Sequence, residues 1–199
     1  MSRPATKRSG RRAGAPETRE QIAVSARLLF AELGYERSTI RAIAAKAGVD
    51  PALVVHFYGS KENLFLEVTQ LPPQVADAIA RIAEGPRAQM GRRLAELIVG
   101  VLENPATQPI VVGRIRCASS HPDAAALVRE TVTRDLVRLT GAISDDEPET
   151  RAVLIGASIV GTALARYIVL VEPLASFPPE RVVELLAPTF QRYLTGPLV

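Results

Sequence analysis

The 199-residue chain predicts an all-α protein, and three observations carry that expectation. Ala, Leu, Val and Arg dominate, tryptophan is absent and aromatics make up 5% of residues, a composition that favours helices over sheets. No segment alternates apolar and polar residues long enough to argue a strand. Residues 38–61, STIRAIAAKAGVDPALVVHFYGSK, carry the spacing of two short helices joined by a tight turn.

The first helix is expected over Thr18 to Leu33. Thr18 and Gln21 suit a capping box, Ile22, Ala26, Leu29, Phe30 and Leu33 form one apolar stripe, and Gly34 ends the run. Ser38 or Thr39 caps the second helix, Ile40 to Ala47. Gly48 supplies the positive φ that a short turn needs, and Ala44 lets the two backbones approach. Asp50 caps the third helix, with Pro51 at its first position, where a missing N–H costs nothing. Gly59 closes it, and Ser60 caps a fourth that runs from Lys61 to about Gln70. Ile43, Ala44, Ala47, Val49, Val54 and Phe57 form the buried side of the pair, which leaves the other side of the third helix free to enter a DNA major groove.

Pro72 and Pro73 break the chain, and further helices are expected near 74–84, 87–103, 106–119, 122–143, 148–171 and 179–194. The uncharged stretch Ala152 to Ala165, closed by Arg151 and Arg166, is shorter than the ~20 residues a membrane span needs. It predicts a buried helix of a soluble protein. The basic N-terminus is followed by no apolar segment of the signal-peptide kind, and the lone Cys117 fits a reducing cytoplasm.

Charge is uneven. Residues 1–64 carry 11 Lys and Arg against 6 Asp and Glu, whereas residues 65–199 carry 13 against 15. Positive charge therefore gathers on the segment with the helix pair, as a surface facing phosphate requires. Arg3, Lys7, Arg8, Arg11 and Arg12 make the start of the chain a basic arm. The expected organisation is a disordered arm over 1–15, a three-helix DNA-binding domain with the helix-turn-helix over 16–70 (motif 38–58), and a regulatory domain over 71–199.

The run GYERSTIRAIAAKAGVDPALVVHFYGSKENLF, Gly34 to Phe65, resembles the DNA-binding signature of TetR-family transcriptional regulators almost end to end. HPDAAALVRE (His121 to Glu130) and ARYIVLVEPLAS (Ala165 to Ser176) resemble, more loosely, a regulatory domain of actinobacterial type. The resemblance implies a cytoplasmic homodimer on a double-stranded, pseudo-palindromic operator, a repressor released by a small hydrophobic effector. It implies that Thr39, with Ser38 beside it, meets a phosphate at the second helix's N-terminus and that Arg41 reads a base or backbone. Lys61 would clamp the phosphate backbone, and Pro51, Ala52, Val55 and His56 would face the groove. The chain departs from the family at Val55, where many members carry a tyrosine that grips phosphate. Discrimination is therefore expected to lean on Arg41, methyl contacts, DNA shape and the basic arm. His56, the groove-facing imidazole, predicts a mild pH dependence of binding.

Small residues at Gly156, Ala157, Ser158, Gly161, Ala163 and Ala165 suit close helix contact, so the 148–171 and 179–194 helices are the expected dimer interface, a four-helix bundle across two copies. Helices from 87 to 139 are expected to enclose a ligand cavity. Leu94, Leu97, Ile98, Val111, Ile115 and Val128 would line it, and Arg114, Arg116, Cys117, His121 or Tyr167 would anchor polar groups. The sequence gives no reason to expect an enzyme, a metal or another cofactor. His56 and His121 lie far apart, Cys117 has no evident base beside it, and Gly156-x-x-x-x-Gly161 is followed by Thr162 instead of a phosphate-loop lysine. The rival is a helical protein–protein adaptor that uses the hairpin without DNA.

Overall fold

α1 (Ala15–Arg37) opens the described part of the chain, residues 14–144 and 146–198 of a computed structural model. Most of the expected basic arm, residues 1–13, lies outside the described residues. α1 begins a turn earlier than the Thr18 cap predicts. Gly14 is the N-cap, and its N–H donates to the Glu17 carboxylate at 3.3 Å. Gly34 breaks the helix with φ 77°, and one further turn carries the chain to Arg37.

α2 (Ile40–Ala47), α3 (Pro51–Tyr58) and α4 (Lys61–Val68) follow with the expected bounds to within two residues. Their caps explain why three helices of eight residues form where the sequence places them. The Thr39, Asp50 and Ser60 side chains accept from the N–H groups of Ala42, Ala52 and Asn63 at 3.1, 2.8 and 3.0 Å. Gly48, at φ 68°, ends α2 in the left-handed region. Phe30 and Phe65, both fully buried, meet edge to face at 5.0 Å, and Tyr35 packs against both.

The remaining helices are α5 (Pro73–Ala80), α6 (Met90–Glu103), α7 (Gln108–Ala118), α8 (122–143), α9 (Pro148–Val169) and α10 (Pro179–Thr195). Within α8 the stretch Thr131–Leu136 is π-helical, and within α9 so is Leu164–Val169. No strand occurs among the described residues. α6, α8, α9 and α10 enclose a second core that includes Leu94, Leu102, Leu139, Ile155 and Phe190.

α9 differs from the buried helix expected there. It runs for 22 residues, long and apolar enough by composition to cross a membrane, and only 28% of its most apolar window is buried. Val153, Leu164 and Val169 point outward, with 57%, 42% and 60% of their surface exposed. The two arginines expected to bound it turn inward instead. Arg151 bonds the Asp146 carboxylate at 2.7 Å and the carbonyls of Tyr193 and Gly196, and Arg166 bonds Glu103 at 2.8 Å.

Two glycines of α6 separate packing from propensity. A Cβ on Gly91 would stand 2.3 Å from the backbone nitrogen of Gln191 and 2.5 Å from the carbonyl oxygen of Ala187, so α10 lies directly on this glycine. Gly100 has nothing within 4 Å. Urea unfolding is expected to show Gly91→Ala destabilised by about 1–3 kcal/mol through overpacking. Gly100→Ala is expected to be stabilised by about 0.5–1 kcal/mol, because only helix propensity changes there.

Candidate functional site

α2 and α3 bury Ile43, Ala44, Val54 and Tyr58, and the opposite surface is the candidate nucleic-acid face. Thr39, Arg41, Pro51, Ala52, Val55 and His56 are all exposed on these two helices and their caps. Leu53 joins them with 39% of its surface exposed, although its apolar character alone suggests core. The surface is thus a patch of methyl groups beside the Arg41 guanidinium.

Ser38 does not belong to it. Its side chain is fully buried, and its hydroxyl donates to the Gly34 carbonyl at 2.7 Å, closing the kink at the end of α1. Thr39 alone is the cap. Lys61 is half-buried, donates to the Tyr35 carbonyl at 3.0 Å and places its ammonium 3.9 Å from the centre of the Tyr35 ring. One of its three N–H groups is therefore held by the protein itself.

A cavity lies where α5, α6, α7, α8 and α9 converge. Its inner chamber has a volume of about 90 Å³ and is walled by apolar side chains, Ile98, Val111, Ile115, Val128 and Ile159 among them. Arg114 and Thr131 are the polar side chains of this wall. The π-helical stretch supplies Thr131, Val132 and Leu136, and Gly156 admits Val132, whose Cγ2 would stand 2.7 Å from any Cβ there. A second, polar chamber of about 360 Å³ adjoins it, sharing Leu71, Val75, Ile79, Arg114 and Thr131, with Asp77, Glu130, Arg134 and Asp135 on its rim.

Of the expected cavity residues, Ile98, Val111, Arg114, Ile115 and Val128 line it, and Leu94, Leu97, Arg116, Cys117, His121 and Tyr167 do not. Leu94 is fully buried in the second core. Cys117 is fully buried in the first core beside Ala124, because α7 turns that face toward α1. His121 packs against Tyr35, the rings tilted by 46° with centres 3.8 Å apart, so it too serves the first core. Tyr167 donates its phenol to Glu103 at 2.7 Å and accepts from Arg166, a closed network; burial first and that bond second push its pKa up to about 12. Arg116 also stays outside the cavity, near Gly34.

α4 ties the two regions together. At its C-terminal end Arg27 donates to the Val68 carbonyl at 3.0 Å, Thr69 to that of Phe65, and Arg114 to that of Thr69. Cations at the carbonyl end of a helix also meet the favourable end of its dipole. The guanidinium of Arg114 therefore touches the cavity and the last turn of the helix that ends the three-helix unit.

Comparison with known proteins agrees with this architecture. Residues 22–68 match the family model described as bacterial regulatory proteins, tetR family, and residues 88–194 match the tetracyclin repressor-like, C-terminal domain. The chain is 35% identical over 88 residues to the HTH-type transcriptional repressor AcnR of Corynebacterium glutamicum, a match that covers 44% of this chain and 42% of the repressor. The match thus spans about two-fifths of the length of the curated relative. A TetR-family regulator from Streptomyces coelicolor A3 is 34% identical in its crystal structure, with a TM-score of 0.61 over 94% of this chain and 99% of that one. A TetR-like regulator from Rhodococcus sp. RHA1, 20% identical, shares the fold with a TM-score of 0.67, over 94% and 100% of the two chains.

Two measurements check the local geometry. Thr39→Ala is expected to cost about 1 kcal/mol in urea unfolding by loss of the α2 cap, and Thr39→Ser to restore most of it. Burial pushes the Cys117 thiol up to about 11. A disulfide reagent at pH 8 is therefore expected to leave native protein unlabelled and to label it fully in denaturant; rapid native labelling would contradict the burial.

Proposed function

The chain belongs to the TetR family of bacterial regulatory proteins, and from that premise we propose that it is a dimeric, sequence-specific DNA-binding repressor released from its operator by a small apolar effector. The observation that carries this reading is the outer surface of α2 and α3. Arg41 makes no hydrogen bond or ion pair among the described residues, and Thr39, exposed, caps the N-terminus of α2 with its hydroxyl accepting from the Ala42 N–H. Beside them Ala52, Leu53, Val55 and His56 form a continuous exposed strip. An Arg fork can take the O6 and N7 of guanine, the N-terminus of α2 suits a phosphate, and the methyl groups of the strip suit thymine. The name of the Corynebacterium relative, a transcriptional repressor, supports the direction of control.

The exposed apolar side of α9, continued by Leu185 on α10, supports a dimer formed through these helices. Ala157 and Gly161 lie exposed on α9, where a second copy can approach closely, and Gly161 has nothing within 4 Å. Two copies then present two α3 helices to successive major grooves. The cavity supplies the control. An effector that binds the state with mismatched half-site spacing shifts the population to that state, by as much as its affinity differs between the two.

An operator recovered by selection from random duplexes serves the test. Anisotropy is expected to show binding that weakens steeply with salt, and Arg41→Ala is expected to weaken it about tenfold or more. Salt-independent binding, or an unchanged affinity in Arg41→Ala, would remove the DNA reading in favour of an adaptor. Light scattering is expected to give a dimer for the native chain and a monomer for Gly161→Glu, which keeps its helical circular dichroism and loses operator binding.

A further inference from the structure

Three arginines of the regulatory part are more than nine-tenths buried: Arg114, Arg151 and Arg166. Arg151 is paired with Asp146 and Arg166 with Glu103. Arg114 has no carboxylate within ion-pair distance among the described residues. Glu130 and Asp135, the acids that face it, are bonded to Arg134 at 2.7 and 2.9 Å. Its Nε donates to the Thr69 carbonyl and its Nη1 to the Thr131 hydroxyl at 3.3 Å, which leaves the Nη2 edge without a protein acceptor. A guanidinium carries five N–H donors in a planar fork, so the unmatched edge is the one a carboxylate takes. Burial lowers its pKa only to about 10, so it remains a cation at neutral pH.

The space beside it fits one kind of molecule. Apart from Arg114 and Thr131 the inner chamber offers only apolar walls, and its volume of about 90 Å³ admits on the order of six non-hydrogen atoms of a chain. A ligand there is apolar along its length and polar at one end. A cationic head would meet Arg114 as a like charge, and a neutral head would leave the guanidinium uncompensated. A doubly charged head would meet Arg114 beside an outer chamber whose other arginine, Arg134, is already paired with Glu130 and Asp135, and whose Asp77 is a further like charge.

We infer that the effector is an amphipathic monocarboxylate whose apolar chain fills the inner chamber and whose head group lands on Arg114. The inference rests on the cavity being the effector site proposed above. It also gives the ligand a grip on the DNA-binding unit, because the same guanidinium holds the Thr69 carbonyl at the end of α4. A carboxylate that draws the fork toward the cavity competes with that bond.

Titration calorimetry and thermal melting of the full chain test it with octanoate, octan-1-ol and octyl phosphate. Octanoate is expected to bind and to raise the melting temperature, with octan-1-ol and octyl phosphate each about tenfold weaker or more. Arg114→Met is expected to lose about tenfold or more in octanoate affinity and none for octan-1-ol, and Arg114→Lys to recover part of the difference. If the Met variant does not fold, the Lys variant and the ligand comparison on the native chain decide alone. Equal affinity for acid and alcohol, or tighter binding of the phosphate, overturns the head-group assignment and leaves the cavity as an effector site. Absence of binding by all three overturns both.

Discussion

The first core cannot be closed by the helices that carry the candidate DNA face, and much else in the molecule follows from this constraint. α2, α3 and α4 have eight residues each, too short to hold their shape without packing. Their anchor is the aromatic group of Phe30, Tyr35 and Phe65, and its remaining side is covered by Cys117, Ala124 and the ring of His121, which come from α7, α8 and the turn between them. A unit this small buries too little surface to be robust alone. The placement of α3 is therefore held in part by residues far along the sequence.

α4 is the member through which that dependence acts. At its start Lys61 rests on Tyr35, whose ring also packs against His121; at its end the carbonyls are held by Arg27, Thr69 and Arg114. Both ends are thus in contact with residues that respond to the position of α7. The contact at the first end is not fully satisfied. Among the described residues the buried Nδ1 of His121 and Nε of Arg116 have no protein hydrogen-bond partner. A different arrangement of these side chains can give both nitrogens a protein acceptor. Control by an effector requires two arrangements of this interface that the ligand binds with different affinity.

Local chemistry made most of the helices legible in the sequence. Asp50-Pro51, Ser60, Gly48 and Gly59 act within one turn of themselves, so caps and stops fell where the residue types placed them. Errors came where the outcome depends on distant neighbours. Ser38 and Thr39 offer the same hydroxyl one residue apart, and the kink at Gly34 decides which is buried. Leu94 and Ile98 share one face of α6 a turn apart, yet only Ile98 reaches the cavity, which depends on where the π-helical part of α8 lies. Cys117 and His121 suit ligand anchors by residue type alone, and the sequence does not reveal that α7 turns this face toward α1. The apolar and small residues of α9 suit a buried helix and an interface between copies alike, because hydropathy reports how apolar a face is and not whether its partner belongs to the same chain.

The apolar character of the α3 surface bears on how control of the proposed operator complex works. A hydrogen-bonding face tolerates small displacements, because a side chain can turn to keep its bond or a water can bridge the gap. Ala52, Leu53 and Val55 have no such recourse, being short, stiff and without polar atoms. Their attraction to a thymine methyl is dispersion and exclusion of water, and a gap of about 0.5–1 Å already forfeits a quarter to a half of it. A reading head of this kind gains selectivity from placement more than from chemistry. A displacement of α4, whose end is bonded to Arg114, would weaken such a reading head. The scarcity of polar atoms on α3 and the double engagement of Arg114 are in this sense complementary: the first makes binding depend on position, and the second gives a ligand a means to change it.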